Sequence, residues 1–169
     1  MRIAAALADY DGKQVSILES IRDQFDPEPE VLTETIELAD DEDDDVATGA
    51  TWLLRAYLEG GAELSPELHE RLAARLTSVR APWARLHLCQ TMRSLDLPGT
   101  SAAAAWAAFL TGAVTSKRPF ERAWAVDGLV HLGGHFEAYR DTARNALESA
   151  LTDPAPSVRA RARRLAARG

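Results

Sequence analysis

The sequence predicts an all-α chain, a right-handed α-solenoid of about four helix pairs behind an N-terminal helix. Three observations predict it. The tetrads Pro82-Trp83-Ala84-Arg85, Pro119-Phe120-Glu121-Arg122 and Pro156-Ser157-Val158-Arg159 recur at a fixed step of 37 residues, and a period of that length marks stacked supersecondary units. Apolar residues between the tetrads fall three and four apart, as one face of a helix requires. No useful length of chain alternates with period two, and hairpin glycine signals are missing.

The elements follow in order. Val15 to Phe25 reads as a helix with Ile17, Leu18 and Ile21 apolar. Val31–Ala39 and Val46–Leu58 make a pair around an acidic turn, stopped by Gly60-Gly61. Asp26 to Val31 looks like a repeat turn but lies off the 37-residue grid, so it reads as the start of a helix. Ser65-Pro66-Glu67 supplies a cap, a proline at the first helical position and an acid in the first turn, before the stripe Leu68, Leu72, Leu76. Pro82 opens the next helix, with Leu86, Cys89 and Met92 on one face, and Leu97-Pro98-Gly99 stops it. Thr100 or Ser101 is expected to cap a helix through Trp106, Phe109 and Leu110. Pro119 opens a helix carrying Ala123, Val126, Leu129 and Val130, which Gly133-Gly134 should end. Helices over about Glu137–Leu151 and Ser157–Arg168 complete the set. The expected organisation is a single domain over 1–169, with a cap at 1–27 and pairs at 28–61, 62–97, 98–135 and 136–169.

Composition narrows the class. With 169 residues, 46% of them apolar and 27% charged, the chain can bury a core without disulfides or metal. The lone Cys89 suits a reducing compartment. No apolar run reaches a membrane span, and Asp9 and Asp11 cut short the apolar start, so the expected location is cytoplasmic. The net charge of −7 conceals two opposite halves. Residues 1–70 hold four cations and 19 anions; residues 71–169 hold 15 cations and seven anions. A basic second half suits an acidic partner or nucleic acid.

The stretch Asp153-Pro154-Ala155-Pro156-Ser157-Val158-Arg159-Ala160-Arg161-Ala162-Arg163-Arg164-Leu165 resembles the HEAT repeat family. The Asp-Pro turn, the Val-Arg step, the Ala three residues on and the Leu three beyond all match. At Pro119/Arg122 and Pro82/Arg85 the proline and arginine match, the aspartate does not, and Asp45-Val46 is the most degenerate copy. The resemblance covers about residues 28–169 and implies antiparallel helix pairs. It also implies a bond between neighbouring repeats for Asp153 and Arg159. It specifies a fold and scarcely a function.

Each candidate chemistry has a plainer reading beside it. The run Asp40 to Asp45 lacks the glycine and spacing of a calcium loop and reads as a helix-capping turn. His131 and His135, with Asp127 one turn before, have metal-ligand residue types, but Gly133-Gly134 is expected to separate them. His69-Glu70 is a single His-Glu pair, too few for the iron site of HEAT-like deoxyhypusine hydroxylases. Trp124, Asp127 and Arg122 resemble the set with which HEAT-like alkylpurine DNA glycosylases grip DNA, though the acidic first half opposes that reading. A phycobilin-lyase-like accessory role matches only at the level of the fold. Trp83, Trp106 and Trp124 read as core fillers, and the arginines of the last helix as the polar face of a terminal repeat. Cys89 has no base beside it. The expected function is a non-catalytic scaffold that binds another protein with an acidic surface, through Arg85, Arg122, Trp124, Asp127, Arg159 and Arg163 on the concave face. The alternative is nucleic-acid binding. No cofactor, metal or membrane is expected.

Overall fold

A computed structural model describes residues 1–97 and 99–169. The described chain is all-α. Its helices are α1 (Arg2–Leu7), α2 (Val15–Gln24), α3 (Pro29–Glu37), α4 (Asp44–Glu59), α5 (Pro66–Arg75), α6 (Pro82–Thr91), α7 (Thr100–Ala113), α8 (Pro119–His135), α9 (Arg140–Ala150) and α10 (Pro156–Ala166). Short 3-10 turns follow α6 at Met92–Ser94 and precede α9 at Glu137–Tyr139. Among the described residues there is no strand, and no helix is long and apolar enough to cross a membrane. The chain divides into two compact units, Met1–Pro98 and Gly99–Gly169.

Proline starts α3, α5, α6, α8 and α10. Its missing N–H costs nothing at a first turn, and its fixed φ already fits the helix. Ser65 caps α5 by accepting from the Leu68 N–H at 3.3 Å. Asp43 caps α4, accepting from Asp45 N–H at 2.9 Å and Val46 N–H at 3.4 Å. The acidic run therefore begins a helix, and its charges sit at the positive end of the α4 dipole.

Two expected boundaries are corrected, and a third falls outside the description. The cap of α7 is Gly99, with Thr100 already the first helical residue and no side chain bonded to the cap. Helix α8 does not stop at Gly133-Gly134 but runs on to His135. Glycine costs a helix up to about 1 kcal/mol, but Gly133 has a packing reason. A Cβ there would lie 2.9 Å from the Ala143 Cβ and 3.2 Å from the Tyr139 carbonyl oxygen. The stop expected at Leu97-Pro98-Gly99 centres on Pro98, which lies outside the described residues.

The first unit is organised around α4, which packs along α6 and also against α1, α2 and α3, while α3 packs on α5. Leu53 and Leu54 of α4 are fully buried, with Leu18, Ile36, Leu72 and Leu88 from its neighbours. Several polar groups in this core are paired. The Thr51 hydroxyl donates to the Ala47 carbonyl at 2.8 Å and lies 3.2 Å from His87 Nδ1. The Tyr57 hydroxyl donates to the Phe25 carbonyl at 2.9 Å, and burial pushes its pKa up to about 12. The buried carboxylate of Glu34 caps α1 from a distance, accepting from Ile3 N–H at 2.7 Å and Ala4 N–H at 3.1 Å.

The second unit is built on α8, against which α7, α9 and α10 pack. Ala123 and Val126 of α8 meet Ala150 of α9 and Val158, Ala162 and Leu165 of α10. These small side chains allow close helix approach. Trp106 is fully buried, edge-on to Phe109 at 5.9 Å. Trp83 departs from the expectation of a core filler: it is 55% exposed, and Phe120 is likewise exposed at 62%.

Candidate binding surface

The periodic arginines share one local geometry. Arg85 Nη1 donates to the Val79 carbonyl at 3.4 Å, Arg122 Nη1 to Ser116 at 2.8 Å and Arg159 Nη1 to Asp153 at 2.7 Å. Each acceptor lies six residues back, across the turn that the proline closes. Arg159 also reaches the Pro154 carbonyl at 2.9 Å. The Pro-x-x-Arg tetrad is thus a clasp: proline sets the first turn and arginine binds a carbonyl of the turn that precedes the helix.

Arg122 does more. Its Nε and Nη2 donate to the two carboxylate oxygens of Asp153 at 2.9 and 2.8 Å, a fork-on-fork pair. The side chains are 15% and 14% exposed. Hydrogen bonding to Arg122, the largest influence, holds the Asp153 carboxyl below its ordinary range, and Asp153 raises Arg122 in return. The Asp153 carboxylate therefore binds Arg122, while Arg159 takes the Asp153 main chain. This pair forms part of the wall of a cavity of about 430 Å³ lined also by Thr111, Thr115, Asn145 and Ser149.

Trp124 and Asp127 meet a third residue. Arg161 of α10 donates through Nη1 to Asp127 Oδ2 at 3.1 Å, and its guanidinium lies 3.7 Å from the Trp124 ring centroid. Asp127 is 3% exposed, so Arg161 offsets a charge that burial would otherwise penalise. Trp124 is half-buried beneath the cation. One turn earlier on the same face stands the exposed Phe120; further along come His131 and His135, their rings 4.5 Å apart. The continuous helix brings these histidines together, contrary to the expected break. His135 Nδ1 is 2.9 Å from the His131 carbonyl, and the His135 side chain is exposed. Among the described residues no group of three or more His, Cys, Asp or Glu is arranged to hold a metal ion.

The structure therefore joins Arg122 to Asp153, and Trp124 and Asp127 to Arg161. It leaves Arg85 in the first unit, half-buried on its own clasp. Arg163 is exposed, but it sits two residues from Arg161 and so about 200° round α10 from it. Arg164, three residues beyond Arg161, lies on the same side of α10, Arg168 follows just past the end of that helix, and both are exposed. Sequence reasoning left Arg161 out of the site, although a usable signal existed: it stands one 37-residue step after Trp124. The resulting face carries Phe120 and Trp124 with Arg161, Arg164 standing one turn along α10, in a unit with ten cations and six anions. Such a face can stack on flat or apolar groups and attract carboxylates or phosphates. Comparison with protein-family models, curated proteins and solved structures finds no match to this chain.

Proposed function

We propose that this chain is a HEAT-like α-solenoid acting as a non-catalytic scaffold in the cytoplasm, and that it binds a protein with an acidic surface. The contact face is that of the second helices of the pairs, α8 and α10, read as the concave side. The observation that carries the reading is the exposed Phe120 and the Arg161-covered Trp124, with the exposed Arg164 and Arg168 following in and just past α10. Large aromatics and arginines dominate the energetics of protein interfaces, and complementary charge speeds encounter. The glycosylase-like reading needs a carboxylate that substrate can reach. Asp127 is buried and held by Arg161, which weighs against it.

The test compares the wild-type chain with Arg164→Glu/Arg168→Glu, each immobilised at about 0.15 M salt, where surface charges further apart than about 8 Å are screened. An acidic protein retained by the wild type, lost from the variant and reproduced with purified components supports the proposal. Tight binding of a duplex DNA probe, with a steep loss of affinity as salt rises, would replace it with the nucleic-acid reading.

A further inference from the structure

We infer that the first unit carries a binding pocket for an organic cation, an alkylammonium or guanidinium group, between the end of α4, the start of α5 and the turn after α6. This pocket is separate from the face proposed above and stands whether or not that reading does.

The geometry begins with a cavity of about 270 Å³ walled by Leu58, Leu64, Leu95, His69, Glu63 and Asp96, among others. Its inner wall is apolar: Leu58 and Leu95 are each 5% exposed. His69 belongs to that wall and is 4% exposed, and its Nδ1 is buried with no hydrogen-bond partner. A desolvated nitrogen left unpaired is costly, and native folds rarely tolerate one without a reason. Burial also lowers the His69 pKa, against the smaller opposing influences of Asp96 and Glu70. The neutral imidazole this favours can accept an N–H.

The rim decides the sign of the ligand. Glu63 and Asp96 are both exposed, and neither has an ion-pair partner among the described residues. Two helical segments end beside the cavity: α4, whose Leu58 lines it, and the 3-10 turn, whose Ser94 lines it. The start of α5 would be the one place for an anion, yet it offers little. Pro66 has no N–H, the Leu68 N–H is taken by Ser65, and Glu67 adds a negative charge. The whole unit holds nine cations against 20 anions, a field that concentrates cations. A ligand with several N–H donors satisfies carboxylates and imidazole together, while its alkyl portion covers Leu58 and Leu95. Both a free amine and the Lys or Arg side chain of another protein have this chemistry.

The experiment follows the His69 ring resonances of the full-length protein by NMR while n-butylammonium, methylguanidinium and the uncharged n-butanol are added in turn. The expected result is saturable shifts at His69 with the two cations and none with the alcohol. In Glu63→Gln/Asp96→Asn, two surface changes that leave the core intact, the cations should bind about tenfold more weakly or worse, given a close charge pair's contribution. A blocked tripeptide with a central Arg separates the sources: shifts at His69 indicate a protein side chain as ligand, and binding of the free cations alone indicates a small molecule. Equal shifts with n-butanol, no shift with either cation, or undiminished binding in the double variant would overturn the inference.

Discussion

Replacing Arg122 by Ala removes two charge-assisted bonds to Asp153 and one to the Ser116 carbonyl. Exposed ion pairs contribute about 1 kcal/mol or less, but these side chains are only 15% and 14% exposed. Hydrogen bonds to charged groups contribute about 1.5–3 kcal/mol each, and the bonds of one fork are not additive. A loss of about 2–4 kcal/mol is therefore expected, with a fall in Tm of about 5–15 °C for a chain of this size. Circular dichroism melts of wild type, Arg122→Ala, Asp153→Ala and the double variant would measure it. The double-variant cycle should show a coupling of about 1–3 kcal/mol. The pH dependence has a fixed sign. The carboxyl of Asp153 is held below its ordinary value of 3.8, so its contribution is full above that pH and fades as the pH falls through the lower folded value. The stability gap between wild type and Asp153→Asn should therefore narrow in acid. A Tm change under about 1 °C, a size expected of an ordinary surface substitution, or an additive double variant would refute the reasoning.

Neighbouring glycines of α8 should respond in opposite directions. Gly134→Ala meets open space and should stabilise by about 0.5–1 kcal/mol, whereas Gly133→Ala must displace Ala143 or the Tyr139 carbonyl and should destabilise by about 1 kcal/mol or more; chemical denaturation distinguishes them. The pKa of His87 is lowered to about 3, chiefly by burial. The unfolded chain thus takes up a proton that the folded chain refuses, and stability should decline from about pH 6.5 toward pH 3, with a shallower slope in His87→Gln. Glu34→Ala removes the carboxylate that receives the Ile3 and Ala4 N–H groups and should cost about 1–2 kcal/mol, seen as faster amide exchange over residues 3–7.

Local signals carried most of the helical reading. Pro66, Pro82, Pro119 and Pro156 each occupy the first position of a helix, as their ring geometry demands. The stripe Leu68, Leu72, Leu76 is buried throughout. What failed was long-range. Gly133-Gly134 has the local signature of a helix end, but contact with α9 overrides it, and nothing in the nearby sequence reports that contact. The same error separated His131 from His135. The resemblance implies a bond to a neighbouring repeat for Asp153 without naming its partner; the fork of Arg122, 31 residues away, sits on that carboxylate. Trp124 and Asp127 were legible as candidates, but their shared cation was not, because only the packing of α10 on α8 singles out Arg161 from its neighbouring arginines. The sequence marks His69 only as half of a His-Glu pair and gives no sign of the cavity it lines. That cavity is assembled from three segments whose residues are individually ordinary.

The three arginine clasps bear on the order of assembly. Each closes a loop of only six residues, and closing so short a loop takes well under a microsecond and costs little chain entropy. The turns before α6, α8 and α10 can therefore set before distant surfaces meet, leaving the slower docking of α6 on α4 and of α10 on α8 to follow. Pulse-labelled hydrogen exchange during refolding should find the amides of Arg85, Arg122 and Arg159, which bond the Ala81, Arg118 and Ala155 carbonyls, shielded ahead of those at Leu53 and Leu54.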